Sequence, residues 1–282
     1  MFDCHIHMFY GESDSPQEFM EKTSAAGITG GAVFSLFPEN YIPVKHEQRW
    51  EHRLAKVLEF TSAATGFLPV LWIDPTDKDI DKQITSSVEQ GIRGFKIICN
   101  HFYPEEILPQ LNLIAETGRP VHFHSGILYS KSPAAKYNRP MMFECLMEVP
   151  RLRTALAHVG WPWTDEYTAI MGEFSCPATK VDIFADITPG TPMVYRQDVL
   201  KRLYLCGYEG FAGKVMWGSD ASTNNYNTQA VAAQLCEDRK IMERISDKNN
   251  FFDVADYQPE AYSGAWQQLT EENFEKFYSP VK

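Results

Sequence analysis

The chain has no long apolar run. Nowhere does it reach the roughly 18 apolar residues a membrane-spanning helix needs, so no membrane partner is expected. It also lacks a surplus of positive charge. Its 26 Lys and Arg against 37 Asp and Glu leave a formal net charge of −11. That balance disfavours nucleic acid and anionic lipid surfaces as partners. A small anionic substrate stays open, because one pocket can be positive on an acidic protein. No GxGxxG and no P-loop follows any strand-like run, so the marker of nucleotide-binding doubly wound sheets is missing. The six cysteines, at 4, 99, 145, 176, 206 and 236, form no CxxC pair and no disulfide framework; they are expected to be reduced and mostly buried. The start carries no basic stretch leading into an apolar run and a cleavage site, so a cytoplasmic location is expected. There is no internal repeat and no low-complexity segment.

What is present is enough apolar material for one large core: 282 residues, 44% hydrophobic. An α/β barrel typically takes about 250 residues. A single domain, 1–282, is therefore expected, with a barrel core to about 245 and a C-terminal extension over 246–282. Eight short runs rich in Val, Ile, Phe and Leu read as strands: Phe2–His7, Gly31–Phe37, Phe67–Ile73, Gly94–Ile98, Pro120–His124, Thr154–His158, Val181–Asp186 and Lys214–Gly218. They are near-continuously apolar, as parallel strands covered on both faces are. Helical patterns fill the gaps: Ser15–Ala26, Val44–Ala64, Thr76–Gln90, Pro104–Thr117, Arg139–Val149, Asp165–Gly172, Val194–Gly207 and Thr228–Ile245. Several end just before a glycine. Alternation of this kind predicts an α/β fold, a (β/α)8 TIM barrel with an additional C-terminal helical segment. A doubly wound open sheet is the second choice. The aromatic, acidic tail beyond Asp247 is expected to pack helices on the barrel's outside or to reach a neighbouring subunit.

In a barrel, chemistry sits where strands run into the following loops. Strand one ends in His5 and His7, strand four carries Lys96, strand five ends in His124, strand six in His158, and strand eight runs into Asp220. His5 and His7 are two apart on a strand and share a face. With His124 and Asp220 they offer three imidazole nitrogens and a carboxylate oxygen, a donor set suited to Zn2+ and, about equally, to Mn2+, Co2+ or Fe2+. A divalent ion there makes a nucleophile of water near neutral pH. Asp220 then serves a second time, as acceptor of the water's proton, and His158 is free to protonate a leaving group or polarise a carbonyl.

The segments Asp3-Cys4-His5-Ile6-His7, Gly94-Phe95-Lys96-Ile97, Val121-His122-Phe123-His124-Ser125-Gly126, Ala157-His158-Val159-Gly160 and Gly218-Ser219-Asp220 resemble the amidohydrolase superfamily, in particular its amidohydrolase-related branch. That branch contains metal-dependent hydrolases and non-oxidative decarboxylases of aromatic or muconate-type acids. The resemblance implies His5, His7, His124 and Asp220 as metal ligands and His158 as the catalytic or substrate-binding histidine. Two departures stand out. The last motif reads Ser219-Asp220-Ala221-Ser222 where the family commonly has Ser-Asp-x-Pro, and the family's C-terminal Asn-Ala pair is absent, with Asn273-Phe274 its distant echo.

Each signal has a plainer reading beside it. An HxH pair alone is as well explained by satisfied or surface histidines; five anchors in order at successive strand ends are not. His122 shares the face of His124 and is read as a deeper, packed or hydrogen-bonding histidine. Lys96 is either a carbamylated bridge between two metals or an ammonium that binds a substrate carboxylate, with the mononuclear reading favoured. Asp3 is expected to orient an imidazole, and Cys4 to point away into the core. Trp161, in Trp161-Pro162-Trp163, is expected to form an apolar wall for a planar substrate. Tyr137 and Arg139 are expected near the mouth, Arg139 gripping a substrate carboxylate in a bidentate fork. Asn100, His101, Trp72 and Asp74 are further lining candidates, whereas His46 and His52 read as solvated. The expected function is a metal-dependent hydrolase of a small carboxylated lactone, ester or amide. A non-oxidative decarboxylase using the same site is the first alternative, and a non-catalytic barrel with a binding or structural role the second. The partner expected is a small, carboxylated molecule, with the chain forming a homodimer or larger homo-oligomer.

Overall fold

The structure, a computed structural model, describes residues 1–42, 44–129, 133–206, 208, 210–247 and 264–280. The strands are β1 (Phe2–His7), β2 (Gly30–Phe34), β3 (Phe67–Trp72), β4 (Gly94–Ile97), β5 (Val121–Phe123), β6 (Arg153–Leu156), β7 (Asp182–Asp186), β8 (Val215–Met216) and β9 (Ala221–Ser222). They form one parallel sheet in the order β8-β7-β6-β5-β4-β3-β2-β1-β9. The eighth crossing closes the ring in two steps. β8 pairs with β7, the carbonyl of Trp217 accepts from the Cys4 N–H at 3.0 Å, and β9 then pairs with β1. The result is a (β/α)8 barrel.

Near-continuous apolarity follows from this closure. One face of each strand meets the helices, through Val33, Leu71, Phe95, Val121, Leu156 and Ile183. The other face fills the barrel interior, through Ala32, Phe34, Val70, Ala155, Phe184 and Met216. Register in β1 shifts between Asp3 and Ile6. Alternation therefore fails there, and Cys4 joins the interior cluster instead of the outer one.

The helices are α1 (Pro16–Ala25), α2 (Trp50–Ala63), α3 (Ile80–Glu89), α4 (Leu108–Thr117), α5 (Thr164–Phe174), α6 (Met193–Tyr204) and α7 (Thr228–Ser246). α1 begins with a reciprocal Ser15–Glu18 capping box and Pro16 in its first turn. α2 starts later than its apolar periodicity suggests. The Gln48 side chain accepts from the Val44 N–H and donates to the Ile42 carbonyl, which holds this stretch out of the helix. Pro140–Glu148 winds as a 3-10 helix where an α-helix was expected. Arg196, buried on α6, forms a bidentate pair with Asp238 on α7, and Asp238 also accepts from the Trp217 indole at 2.9 Å. That pair ties two helices to the closing strand.

The C-terminal segment divides between the barrel's outside, where Ala265 and Leu269 join the helix-facing cluster, and its floor. α8 (Ala265–Gln267) passes through a π turn, Gln268–Glu272, into α9 (Asn273–Tyr278). Phe274, Phe277 and Tyr278 pack into the interior cluster and close the barrel's floor. Asn273 donates to the carbonyls of Ala212 and Val215, fastening α9 to the start of β8. Residues 248–263 lie outside the described residues, and with them that part of the expected extension.

Candidate metal centre

β1 brings His5 and His7 to the barrel mouth with their Nε2 atoms 3.1 Å apart. The turn after β8 delivers Asp220, whose Oδ1 lies 3.4 Å from His7 Nε2 and 3.6 Å from His5 Nε2. Ligands held about 2.0–2.1 Å from one tetrahedral ion are about 3.3 Å from each other. The three donors thus already stand at the spacing of one cation's ligands. Asp220 sits at a φ of 58°, a left-handed conformation, and its N–H is held by the His5 carbonyl at 3.0 Å.

His158 joins this group: one donor atom each of His5, His158 and Asp220 lie within 4.8 Å of one another. Its Nδ1 is 2.9 Å from the Pro189 carbonyl. A carbonyl only accepts, so Nδ1 carries a proton, and any lone pair the ring offers is at Nε2. The turn that places it is strained, with φ of 62° at His158 and 50° at the β-branched Val159. Gly190 is required beside it, since a Cβ there would meet His158 Cβ at 2.9 Å. His124 flanks His158, ring centroids 4.7 Å apart, with Nε2 against the Ile127 carbonyl at 3.2 Å. By the same argument its free lone pair is on Nδ1.

Protonation agrees with a cation site, which needs neutral imidazoles and an ionised carboxylate. Burial holds His5, His7 and His124 below the ordinary histidine range, with the Lys96 charge adding to the effect. Burial pushes Asp220 up, but its hydrogen bond to His7 and its place among His158, His5 and His7 outweigh this and leave it below the carboxylate range.

The carboxylate that orients His5 is Asp186, at the end of β7. Its Oδ2 accepts from His5 Nδ1 at 2.6 Å, with both side chains fully buried. Its Oδ1 accepts from the Thr188 N–H at 2.8 Å and from the Thr188 hydroxyl. This bond fixes the His5 proton on Nδ1 and turns Nε2 toward the mouth. Asp3, expected in that role, accepts instead from the backbone N–H of His5 and of Ser219, each at 3.0 Å. The shift in β1 turns it toward those amides, and burial raises its carboxyl to about 7.

Lys96 lies beneath the donors, not on the cavity wall. It is fully buried, with Nζ 3.5 Å from His5 Nε2 and 5.0 Å from the Phe34 ring centre. Burial lowers it to about 8 against the opposing pull of Asp186 and Asp220. His122 is deeper still, its Nε2 bonded to the Tyr278 hydroxyl at 2.9 Å.

Above the donors is a cavity of about 220 Å³. Trp161 lines it, stacked on Tyr195, together with Phe9, Tyr41, Trp72 and Tyr129. Arg139 and Tyr137 are elsewhere. Arg139 is bound to Glu166 at 2.9 Å on the surface, and Tyr137 packs on Tyr103. Asp74 and His101 are held by Thr76 and Asn40 outside the lining. A second hollow of about 750 Å³, lined in part by His46 and His52, lies on the other side of Phe9.

The sequence profile of the Amidohydrolase family matches residues 2–279, and the chain belongs to that family. No curated protein matches its sequence. Three solved structures share the fold at low identity. A probable 2-pyrone-4,6-dicarboxylic acid hydrolase from Acinetobacter baumannii, with citric acid bound, is 12% identical over 98% of both chains, TM-score 0.61. An amidohydrolase from Burkholderia multivorans with bound HEPES is 11% identical over 99% of both chains, TM-score 0.61. A dihydroorotase from Campylobacter jejuni is 15% identical over 100% of this chain and 83% of its own, TM-score 0.59. Among the described residues, no helix is long and apolar enough to cross a membrane.

Proposed function

We propose that the chain is a metal-dependent hydrolase of a small carboxylated lactone, ester or amide. The observation that carries this reading is the convergence of His5 Nε2, His7 Nε2 and Asp220 Oδ1 at 3.1 to 3.6 Å, behind a histidine whose other nitrogen is fixed by a buried carboxylate. His5, His7 and Asp220 would hold a divalent cation, with His124 Nδ1 or His158 Nε2 completing the set; Zn2+ suits these donors, as do Mn2+, Co2+ and Fe2+. When bound, such an ion polarises a carbonyl and lowers the pKa of water.

The chain's own groups do the rest. Asp220 accepts the proton of the attacking water at its free carboxylate oxygen. His158 presents a lone pair at Nε2, so it takes over the proton that Asp220 has accepted and delivers it to the leaving oxygen or nitrogen as the acyl bond breaks, which returns Asp220 to its ionised form. The aromatic walls of Phe9, Trp72 and Trp161 exclude bulk water and favour a flat substrate. Among the described residues no Arg or Lys lines the cavity, so a carboxylate would be met by the imidazoles and from below by the charge of Lys96. The names of the pyrone dicarboxylate hydrolase and the dihydroorotase direct the first screen to carboxylated ring substrates.

The test is metal analysis followed by that screen. The expected result is about one equivalent of divalent metal per chain. Ring-opened product should disappear on chelation and return with zinc or manganese, and Asp220→Asn should lose at least about a thousandfold in kcat. Full activity in metal-free protein, or carbon dioxide in place of a hydrolysed product, would overturn the reading.

A further inference from the structure

The floor of the barrel contains a polar pair that its packing does not require. Tyr278 and His122 are both buried, at 4% and 0% exposure, amid Phe34, Phe277, Phe184 and Met216. The Tyr278 hydroxyl is 2.9 Å from His122 Nε2. The imidazole is wedged between Phe277, at 4.7 Å and 82°, and Phe34, at 5.2 Å. Its other nitrogen, Nδ1, is buried without a hydrogen-bond partner. An apolar pair of the same size would fill this space without leaving a buried polar atom unpaired, which is destabilising. Breaches of local economy of this sort tend to belong to functional sites.

What lies above His122 gives the pair a use. One donor atom each of His122, His5 and Asp186 lie within 4.8 Å of one another, and the His122 and His5 rings meet edge to face at 6.4 Å. Asp186 is not free to serve as a ligand there, because its oxygens already accept from His5 and Thr188. His122 is therefore the underside of the His5–Asp186 pair. It lies level with Lys96, its register partner on β4. The phenol that fixes it arrives on a helix held by several bonds: Trp217 N–H to the Leu269 carbonyl at 3.0 Å, Asn273 to Val215 at 2.8 Å, and Arg153 to the carbonyls of Phe277 and Ser279. The Tyr278 ring runs against Gly94 of β4, where a Cβ would stand 3.2 Å from its Cε1. The fit leaves the hydroxyl little freedom.

We propose that Tyr278 is a positioning residue for the metal centre. Through His122 it props the His5–Asp186 pair from below, and so makes the C-terminal helix a working part of the site. The inference rests on the metal-centre reading above. A purely structural plug would contribute stability and leave cation affinity untouched.

Zinc affinity of the metal-free protein separates the two, by competition against a chromophoric chelator, with thermal stability measured alongside. Wild type, Tyr278→Phe, His122→Leu and the double variant complete a cycle. Tyr278→Phe should weaken zinc binding about five- to tenfold, less than the tenfold to hundredfold typical of a group bonded directly to a ligand. The double variant should be no weaker than His122→Leu alone. Zinc affinity within twofold of wild type in Tyr278→Phe, whatever its melting temperature, overturns the proposal, as do independent, additive losses. If Tyr278→Phe does not fold, the 15N imidazole spectrum of wild type decides: His122 resonances that move when zinc is added support the proposal, and resonances that stay put overturn it. A wild-type chain that binds no zinc would instead sink the metal-centre reading, and this inference with it.

Discussion

Replacing Asp186 with asparagine tests the organisation of the site at one atom. Asn has nearly the volume of Asp, and its oxygen can keep the bonds from the Thr188 N–H and hydroxyl. Its amide nitrogen then faces His5 Nδ1, where the carboxylate oxygen stood at 2.6 Å. Two donors cannot share that contact, so His5 must move its proton to Nε2. That removes the lone pair directed at His7 and Asp220. Loss of a carboxylate that orients a metal-ligating histidine typically costs tenfold to hundredfold in metal affinity, or about 1.4–2.7 kcal/mol. The effect also reaches stability, because a cation bound only to the folded state stabilises it in proportion to the logarithm of its affinity. For a chain of this size the tenfold end shrinks the zinc-induced rise in Tm by roughly 3–6 °C. Zinc competition titrations and paired melts with and without zinc measure both quantities. An Asp186→Asn protein that folds and binds zinc within threefold of wild type would refute the argument that Asp186 sets the tautomer of His5.

The metal-free protein should lose stability as pH falls from about 6.5 toward 4. Burial keeps His5, His7 and His124 neutral in the folded chain and pushes His122 down to about 3, while the unfolded chain protonates all four near 6.5. The unfolded state then binds more protons, and each histidine removes at most about 1.4 kcal/mol per pH unit. Asp3 works the other way. Raised to about 7, it contributes stability that is present at low pH and lost as pH rises through 7, but it is one group against four. Urea denaturation from pH 4 to 8 checks the sign, and a flat profile would contradict it. Arg139→Ala should change kcat/KM by less than twofold on any substrate the enzyme turns over, because that guanidinium is spent on Glu166 at the surface; a loss above tenfold would return it to the substrate-binding role its sequence position suggested.

Much of this molecule is legible in one dimension. The eight expected strands fall at β1 to β8, where short Val-, Ile- and Phe-rich runs alternate with helical periodicity, because strands covered on both faces must be apolar throughout; the two-residue β9 carries no such run. The donors His5, His7, His124, His158 and Asp220 are legible because barrel geometry brings strand ends to one mouth, whatever the loops between them. The sequence by itself therefore determined the fold and which candidate donors meet at its mouth. Tertiary structure decided how those residues are held. Asp186 stands 181 positions from the histidine it orients, and no local pattern joins them. A one-residue shift in β1 exchanged the expected directions of Asp3 and Cys4, because strand alternation holds only while the ladder is regular. Arg139 found a carboxylate on α5 instead of the cavity, and α9 turned under the barrel to set Tyr278 against His122. Periodicity reports which face a residue takes relative to its own neighbours. Partners across the barrel are fixed only when the chain closes on itself.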